Sequence, residues 1–330
     1  MIKLGPRATA LSVAGMGLLL CMLALLWPEP KENRPFTLAV GVWPGMETLT
    51  LAREQGGFLD SRFNFVELSW TSATMMAFEN RVVDGAVMTL DEMLRLRSGG
   101  HAIKAILVLG LPQGGDAIVS LPDLTKLTDI RGKRVGVELR ASGEYFLAKA
   151  LHSVGLTTSD VTLVPLNLAE AENAFEQKEL DALVTNDPIR ERLLKKGAHV
   201  LTDSEQIPAD LYRVLVVRQD LTTDRQAELR SLIKIHFATL PVLRSGKPET
   251  AMAAVLRRER LNRIEFQRVV NRIVDISREA NIRLLTPGSE SLESALSKTA
   301  TFMKAQGLLD EDVPLQGLLD ANFVKGGSEP

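Results

Sequence analysis

Five acidic residues, Glu47, Asp91, Asp116, Glu144 and Asp187, stand close to the ends of short apolar runs, with Arg140 as the only base near them. Other polar and aromatic residues gather at the same places: Trp43-Pro44-Gly45, Thr71-Ser72, Thr89, Ser142-Gly143 before Glu144 and Tyr145, and Asn186 before Asp187. Hydroxyls, an amide and carboxylates hold a polar molecule by hydrogen bonds, and an indole offers it a flat face. Covalent chemistry has little support. No Gly-x-Ser-x-Gly elbow, Walker loop or His-Glu-x-x-His motif occurs. Asp91-Glu92 could serve as an acid–base pair, but helix caps and solvated faces explain such pairs more simply. The single cysteine excludes a disulfide framework and a Cys-based zinc site, and His101, His152, His199 and His236 show no metal-ligand spacing. The expectation is therefore binding without turnover, with no metal and no cofactor.

Each of these residues also has a structural reading. Trp43 either faces a ligand or packs beside its loop. One hydroxyl of Thr71-Ser72 is needed to cap the helix that follows, and Asp187 can cap another. Gly114-Gly115, ahead of Asp116, either let a backbone approach a ligand or make a turn. The helix opening at Ser142 has free N–H groups suited to an acceptor. Because the set is acidic, a bare anion would meet an unfavourable potential unless the carboxylates point away or are paired. An amine-bearing or neutral polar ligand is favoured. A taurine-like zwitterion would place its sulfonate at the helix start near Ser142.

The elements that position these residues alternate in the manner of an α/β protein. Strands are expected at 36–42, 63–68, 85–89, 102–110, 117–121, 133–139, 162–166, 182–185 and 213–218. Most are near-continuous apolar runs, as parallel strands covered on both faces require. In the segment after Ser142, Phe146, Leu147, Ala150, Leu151 and Val154 form one apolar stripe, with Ser142 placed to cap the helix and Gly155 to end it. From about Thr222 strand signals vanish and helical runs continue, either as a separate domain or packed back on the first. The chain is long enough for two cores. Lys plus Arg (39) nearly balance Asp plus Glu (41), so nothing points to nucleic acid.

One phrase occurs twice. "AFENRVVDGAV" begins at Ala77 and "AFEQKELDALV" at Ala174, a spacing of 97, with Asp84 and Asp181 at matching places. Each copy reads as a helix end, a turn at the Asp, and a buried strand ending in a polar cluster. Ligands of open α/β sheets bind beyond the carboxyl ends of strands. Two similar lobes with facing strand ends would hold a small molecule between them.

The N-terminus has its own pattern. Lys3 and Arg7 precede twenty uncharged, mostly apolar residues, 8–27, and a charged, Pro-rich linker follows. Twenty helical residues span a bilayer core, and the flanking bases set an N-in orientation. The long run and the poor cleavage site favour a retained anchor over a signal peptide. Leu20 before Cys21 argues against lipoprotein processing. Either way the body is placed outside the cytoplasm, in the periplasm if anchored to an inner membrane.

The segments "WPGMETLTLAREQGGF", "DGAVMTLDE", "GGDAIVS", "IRGKRVGVE", "DALVTNDP" and "QIPADLYRVLVVRQD" occur in an order that resembles type II solute-binding proteins of ABC importers, in the nitrate/sulfonate/taurine-type class. The resemblance covers roughly residues 36 to 220. It implies two α/β lobes joined by strand crossovers, closing on ligand like a hinged clamp, with the C-terminal helices returning to the first lobe. It also implies that Trp43, Thr71, Thr89, Asp116, Ser142 and Asp187 line the cleft. The expected organisation is 1–34 anchor and linker, 35–120 first part of lobe 1, 121–205 lobe 2, and 206–330 completing lobe 1. The implied partners are a small-molecule ligand and an ABC permease, with the binding protein a monomer. A retained anchor also suits a sensing module that presents its ligand state to a membrane signalling protein. A relative that makes thiamine's pyrimidine uses cysteines that this chain lacks. Met46 and Thr50 stand where relatives often carry aromatics.

Overall fold

Apolar runs rich in Val, Ile and Leu form eleven strands among the described residues of the computed structural model, which are 34–58, 62–68, 70–207 and 210–325. The first sheet contains β1 (Phe36–Val40), β2 (Phe63–Glu67), β3 (Gly85–Thr89), β4 (Ile103–Pro112), β10 (Arg213–Arg218) and β11 (Ile273–Asp275), in the order β11-β4-β10-β3-β1-β2. The second contains β5 (Asp116–Ser120), β6 (Arg134–Val137), β7 (Thr162–Pro165), β8 (Ala182–Asn186) and β9 (His199–Asp203), in the order β7-β6-β8-β5-β9. Both sheets are mixed: β10 runs antiparallel to β3 and β4, and β5 runs antiparallel to β8 and β9. The apolar runs are continuous because both faces are covered, whatever the strand direction. In β5, Ile118 enters the main core while Ala117 and Val119 enter a separate cluster on the other face.

The twofold repetition extends to hydrogen bonds. Asp84 accepts from the Thr37 N–H at 2.9 Å, and Asp181 accepts from the Arg134 N–H at 2.8 Å, each pair 47 residues apart. The parallel registers match as well: Leu38 pairs Gly85 in lobe 1, and Val135 pairs Ala182 in lobe 2. The order β2-β1-β3-β10-β4 thus recurs as β7-β6-β8-β5-β9. The chain passes from the first sheet to the second at 113–115 and returns between β9 and β10. The boundary placed after residue 120 therefore falls at the end of β5, a strand already hydrogen-bonded into the second sheet.

Helices α1 (Glu47–Glu54), α2 (Thr71–Glu79) and α3 (Leu90–Ser98) belong to the first lobe. Helices α4 (Ser142–Ser153), α5 (Leu168–Glu176) and α6 (Ile189–Lys195) belong to the second. After β10 come α7 (Leu221–Asp224), α8 (Gln226–Ser245), α9 (Glu249–Glu259), α10 (Arg263–Asn271), α11 (Arg278–Leu285) and α12 (Glu293–Ala305). Leu51 of α1 shares a core with Leu243, Met252, Val255, Phe266 and Val269 from α8 to α10, so these helices return to lobe 1. On α11 the buried Asn281 side chain accepts from the Val108 N–H at 2.6 Å and donates to its carbonyl at 2.9 Å, pairing β4 beyond the end of the short edge strand β11. Helix α12 also touches lobe 2, where Phe302 meets Tyr145 edge-on at 5.8 Å.

Two strands lay outside the sequence expectation, β9 and β11. The segment expected to cross a membrane, 8–27, lies outside the described residues. Among the described residues no helix is long and apolar enough to cross a membrane.

Candidate functional site

Parallel strands β1, β3, β6 and β8 end where antiparallel β5 and β10 begin, so both lobes turn the same polar rim toward one gap. An outer cavity of about 70 Å³ is lined by Trp43, Met46, Leu68, Trp70, Glu92 and Arg213, among others. An inner one of about 20 Å³ is lined by residues including Asp116, Glu138, Ser142, Gly143 and Thr185. Thr71 and Asn186, one from each lobe, line both. The cavities are two compartments of one interlobe cleft.

Trp43 is the N-cap of the 3-10 turn Pro44–Met46 that follows β1, and its indole lies across Gly45, where an added Cβ would fall inside the ring's envelope. Pro44 and Gly45 act on the site through this shape and do not line the cavities. Arg213, the first residue of β10, is buried, with its guanidinium 5.8 Å from the Trp43 ring centre. Its Nη2 donates to Asp116 Oδ1 at 2.8 Å and its Nη1 to Ser142 Oγ at 3.4 Å. Arg213 and Asp116 head the corresponding strands of the two lobes, 97 residues apart, and their ion pair joins the lobes. Burial pushes the Asp116 carboxyl up, with Arg213 pulling the other way.

Neither helix facing the cleft is capped by its own hydroxyl. Trp70 is the N-cap of α2 and Ala141 that of α4, so Thr71 and Ser142 are first helical residues and do not cap. Each helix start instead receives a glutamate from the opposite lobe. The Ser72 N–H donates to Glu138 Oε1 at 2.7 Å, and the Ser142 N–H to Glu92 Oε1 at 2.9 Å. The acceptor expected near Ser142 is thus a carboxylate of the protein itself. Burial raises the Glu138 carboxyl, and the Ser72 N–H offsets part of that rise. Gly155, in left-handed conformation, follows the end of α4 as expected.

The acidic set reads differently once placed. Glu47 is fully buried against Arg258, away from the cavities. Glu144 pairs with Arg95 at 2.8 Å. Asp187 pairs with Arg272 at 2.7 Å; Pro188, not Asp187, is the N-cap of α6. Burial raises the Asp187 carboxyl against the pull of Arg272. Arg140, expected as the nearby base, is exposed and reaches Glu79 at 3.6 Å. The base in the cleft is Arg213. Thr89 is the N-cap of α3, its N–H donating to Glu92 Oε2 at 2.9 Å. Asp91 is buried behind it. Tyr145 is buried against α12, its hydroxyl 3.4 Å from Thr299 Oγ1, and burial pushes its phenol up to about 12. The Gly114 turn has positive φ, and Ser204 Oγ accepts from the Gly114 and Asp116 N–H groups.

Of the sequence candidates, Trp43, Thr71, Asp116, Ser142, Gly143 and Asn186 line the cleft, while Pro44, Gly45, Ser72, Thr89, Asp91, Glu144, Tyr145 and Asp187 do not. Arg213, Glu138, Trp70 and Thr185 lie outside the sequence candidates, and Glu92, considered there only as a possible acid–base partner of Asp91, lines the cleft as well. A signal existed for Arg213: it is a charged residue heading an apolar strand at the repeat distance from Asp116.

A model of the NMT1-like family matches residues 29–257, more than half of the chain. A putative binding protein of Brucella abortus is 20% identical over 219 residues, 64% of this chain and 67% of that protein. The alkanesulfonate-binding protein SsuA from Xanthomonas axonopodis pv. citri, in complex with MOPS, superposes with a TM-score of 0.72 at 19% identity, covering 85% of this chain and 96% of that one. The desulfurization enzyme DSZB shares the fold at a TM-score of 0.58 and 14% identity, covering 89% and 98%. The architecture is the two-lobed type II periplasmic-binding-protein fold.

Proposed function

The chain belongs to the NMT1-like family, and we propose from this and the cleft that it is an extracytoplasmic solute-binding component of an ABC import system. The observation that carries the reading is the cavity pair whose walls come from both lobes and meet at Thr71 and Asn186. Two rigid lobes joined by crossovers close on a ligand as a hinge, and a rim made from both lobes is complete only when closed. The Brucella relative and the SsuA structure are both described as binding proteins, which supports the same reading. The occurrence of the fold in DSZB means that the fold does not decide between binding and catalysis. Hydroxyls, carboxylates, one guanidinium and two indoles line the cleft, with no cysteine or histidine, and this favours binding over turnover.

The ligand is a small polar solute, amine-bearing, zwitterionic or neutral in preference to a bare anion. Glu92, Asp116 and Glu138 share the cleft walls with Arg213, so acid exceeds base there. Residues 8–27 tether a monomeric body to the inner membrane, where it delivers solute to a permease. A thermal-shift screen against amines, amino sulfonates, pyrimidines and inorganic anions tests the reading. A ligand at one hundred times its dissociation constant adds ~2.7 kcal/mol to stability. Stabilisation by nitrate or sulfate with none by amines or zwitterions would overturn the ligand preference. Turnover of a bound compound would overturn the binding role.

A further inference from the structure

We propose that the inner compartment of the cleft is an ammonium subsite, and that the solute carries one compact cationic head on a flat or apolar body. The inference rests on the solute-binding reading and specifies the class of solute. Helix N-termini attract anions because their N–H groups are unpaired. Here the starts of α2 and α4 face the cleft from opposite lobes, and each already holds a glutamate from the other lobe: Glu138 at Ser72 and Glu92 at Ser142. An arriving sulfonate or carboxylate would meet a tethered carboxylate at each helix start, and displacing it would leave that charge buried. The exclusion is built into the lobe contact itself.

The remaining valences point the other way. Glu138 Oε2, Asp116 Oδ2 and Thr185 Oγ1 are buried without a hydrogen-bond partner, and all three residues line the inner compartment. Arg213 directs two of its five N–H donors at Asp116 Oδ1 and Ser142 Oγ. Two carboxylate oxygens and a hydroxyl on residues bordering one compartment suit a group with several N–H donors, since a buried unpaired carboxylate oxygen is costly. The compartment measures about 20 Å³, and by the same measure one water-sized group needs roughly 10–15 Å³. It fits a single ammonium and not a larger head. The outer compartment, with Trp43, Trp70, Met46 and Leu68, accepts an apolar or aromatic body, and indole faces also favour a nearby cation.

Benzylammonium and benzenesulfonate offer nearly the same body with opposite heads. Isothermal titration of the purified full-length chain with both, at pH 8, is expected to show binding of benzylammonium and none of benzenesulfonate. Glu138→Gln keeps an acceptor for the Ser72 N–H and removes the charge, and should weaken benzylammonium at least about tenfold, as expected for loss of a charge-assisted bond. Thr185→Val, which deletes one hydroxyl from the same space, should weaken it by about threefold and serves if Glu138→Gln does not fold. Preferential binding of benzenesulfonate, or benzylammonium affinity unchanged in either folded variant, overturns the subsite. Failure of both probes to bind also overturns it, while the solute-binding role is then judged separately by the metabolite screen.

Discussion

Replacing Asp91 with Asn should stabilise the protein at alkaline pH and remove part of its pH dependence. Asp91 is the second residue of α3, is 1% exposed, and neither carboxylate oxygen has a hydrogen-bond partner. Burial first, and the charge of Glu92 second, push its carboxyl from 3.8 up to about 7, with Thr89, Arg95 and Arg213 pulling partly the other way. The folded chain therefore holds this proton more tightly than the unfolded chain does. The stability it contributes is fully present below about pH 4, the unfolded value, and is lost as pH rises through about 7. The displacement corresponds to about 4 kcal/mol on the ionised form, an upper bound on what the amide recovers at pH 8.5. Urea unfolding of both proteins at pH 5 and 8.5, followed by tryptophan fluorescence, reads the difference directly. Other raised carboxyls, such as Glu138 and Asp187, are common to both proteins and cancel in the comparison. The reasoning fails if Asp91→Asn is less stable than the parent at pH 8.5, or if the two lose stability in parallel between the two pH values.

Three further outcomes follow from the packing. Trp43→Ala should weaken any cleft ligand by about tenfold, the value of one aromatic face, in titration calorimetry. Gly45→Ala should displace the Trp43 indole without abolishing folding, seen as a changed near-ultraviolet circular dichroism spectrum, because the new methyl occupies the ring's position. Asn281→Ala should cost about 1–3 kcal/mol in urea unfolding, since it leaves the buried Val108 N–H and carbonyl unpaired.

The fold was largely legible because its signals are local. Strands β3 and β10 span the residues their apolar runs mark, and the repeated phrase located the Asp84 and Asp181 contacts that organise the two lobes. The strands that escaped are edges: β9 has only Val200 and Leu201 as apolar residues, and β11 is three residues long. An edge strand has one neighbour and needs less apolar surface, so its pattern is weak. The cleft was legible only in part, because its decisive contacts are not local. Glu92 forms a capping box with Thr89 through one oxygen, a local contact, yet its other oxygen caps a helix 50 residues away across the cleft. Glu138 follows β6 with no partner near it in sequence, and only the folded arrangement of the two lobes brings it to Ser72, 66 residues away. Tyr145 and Asp187 attracted attention by type and position, but packing turned them toward α12 and Arg272.

Hydrogen–deuterium exchange of the chain with and without the strongest compound from the metabolite screen tests most directly whether a solute is gripped by both lobes. Protection should rise together in peptides covering 70–74 of the first lobe and 141–146 of the second. Protection confined to one of those segments, or found only outside the cleft, would contradict the two-lobed grip.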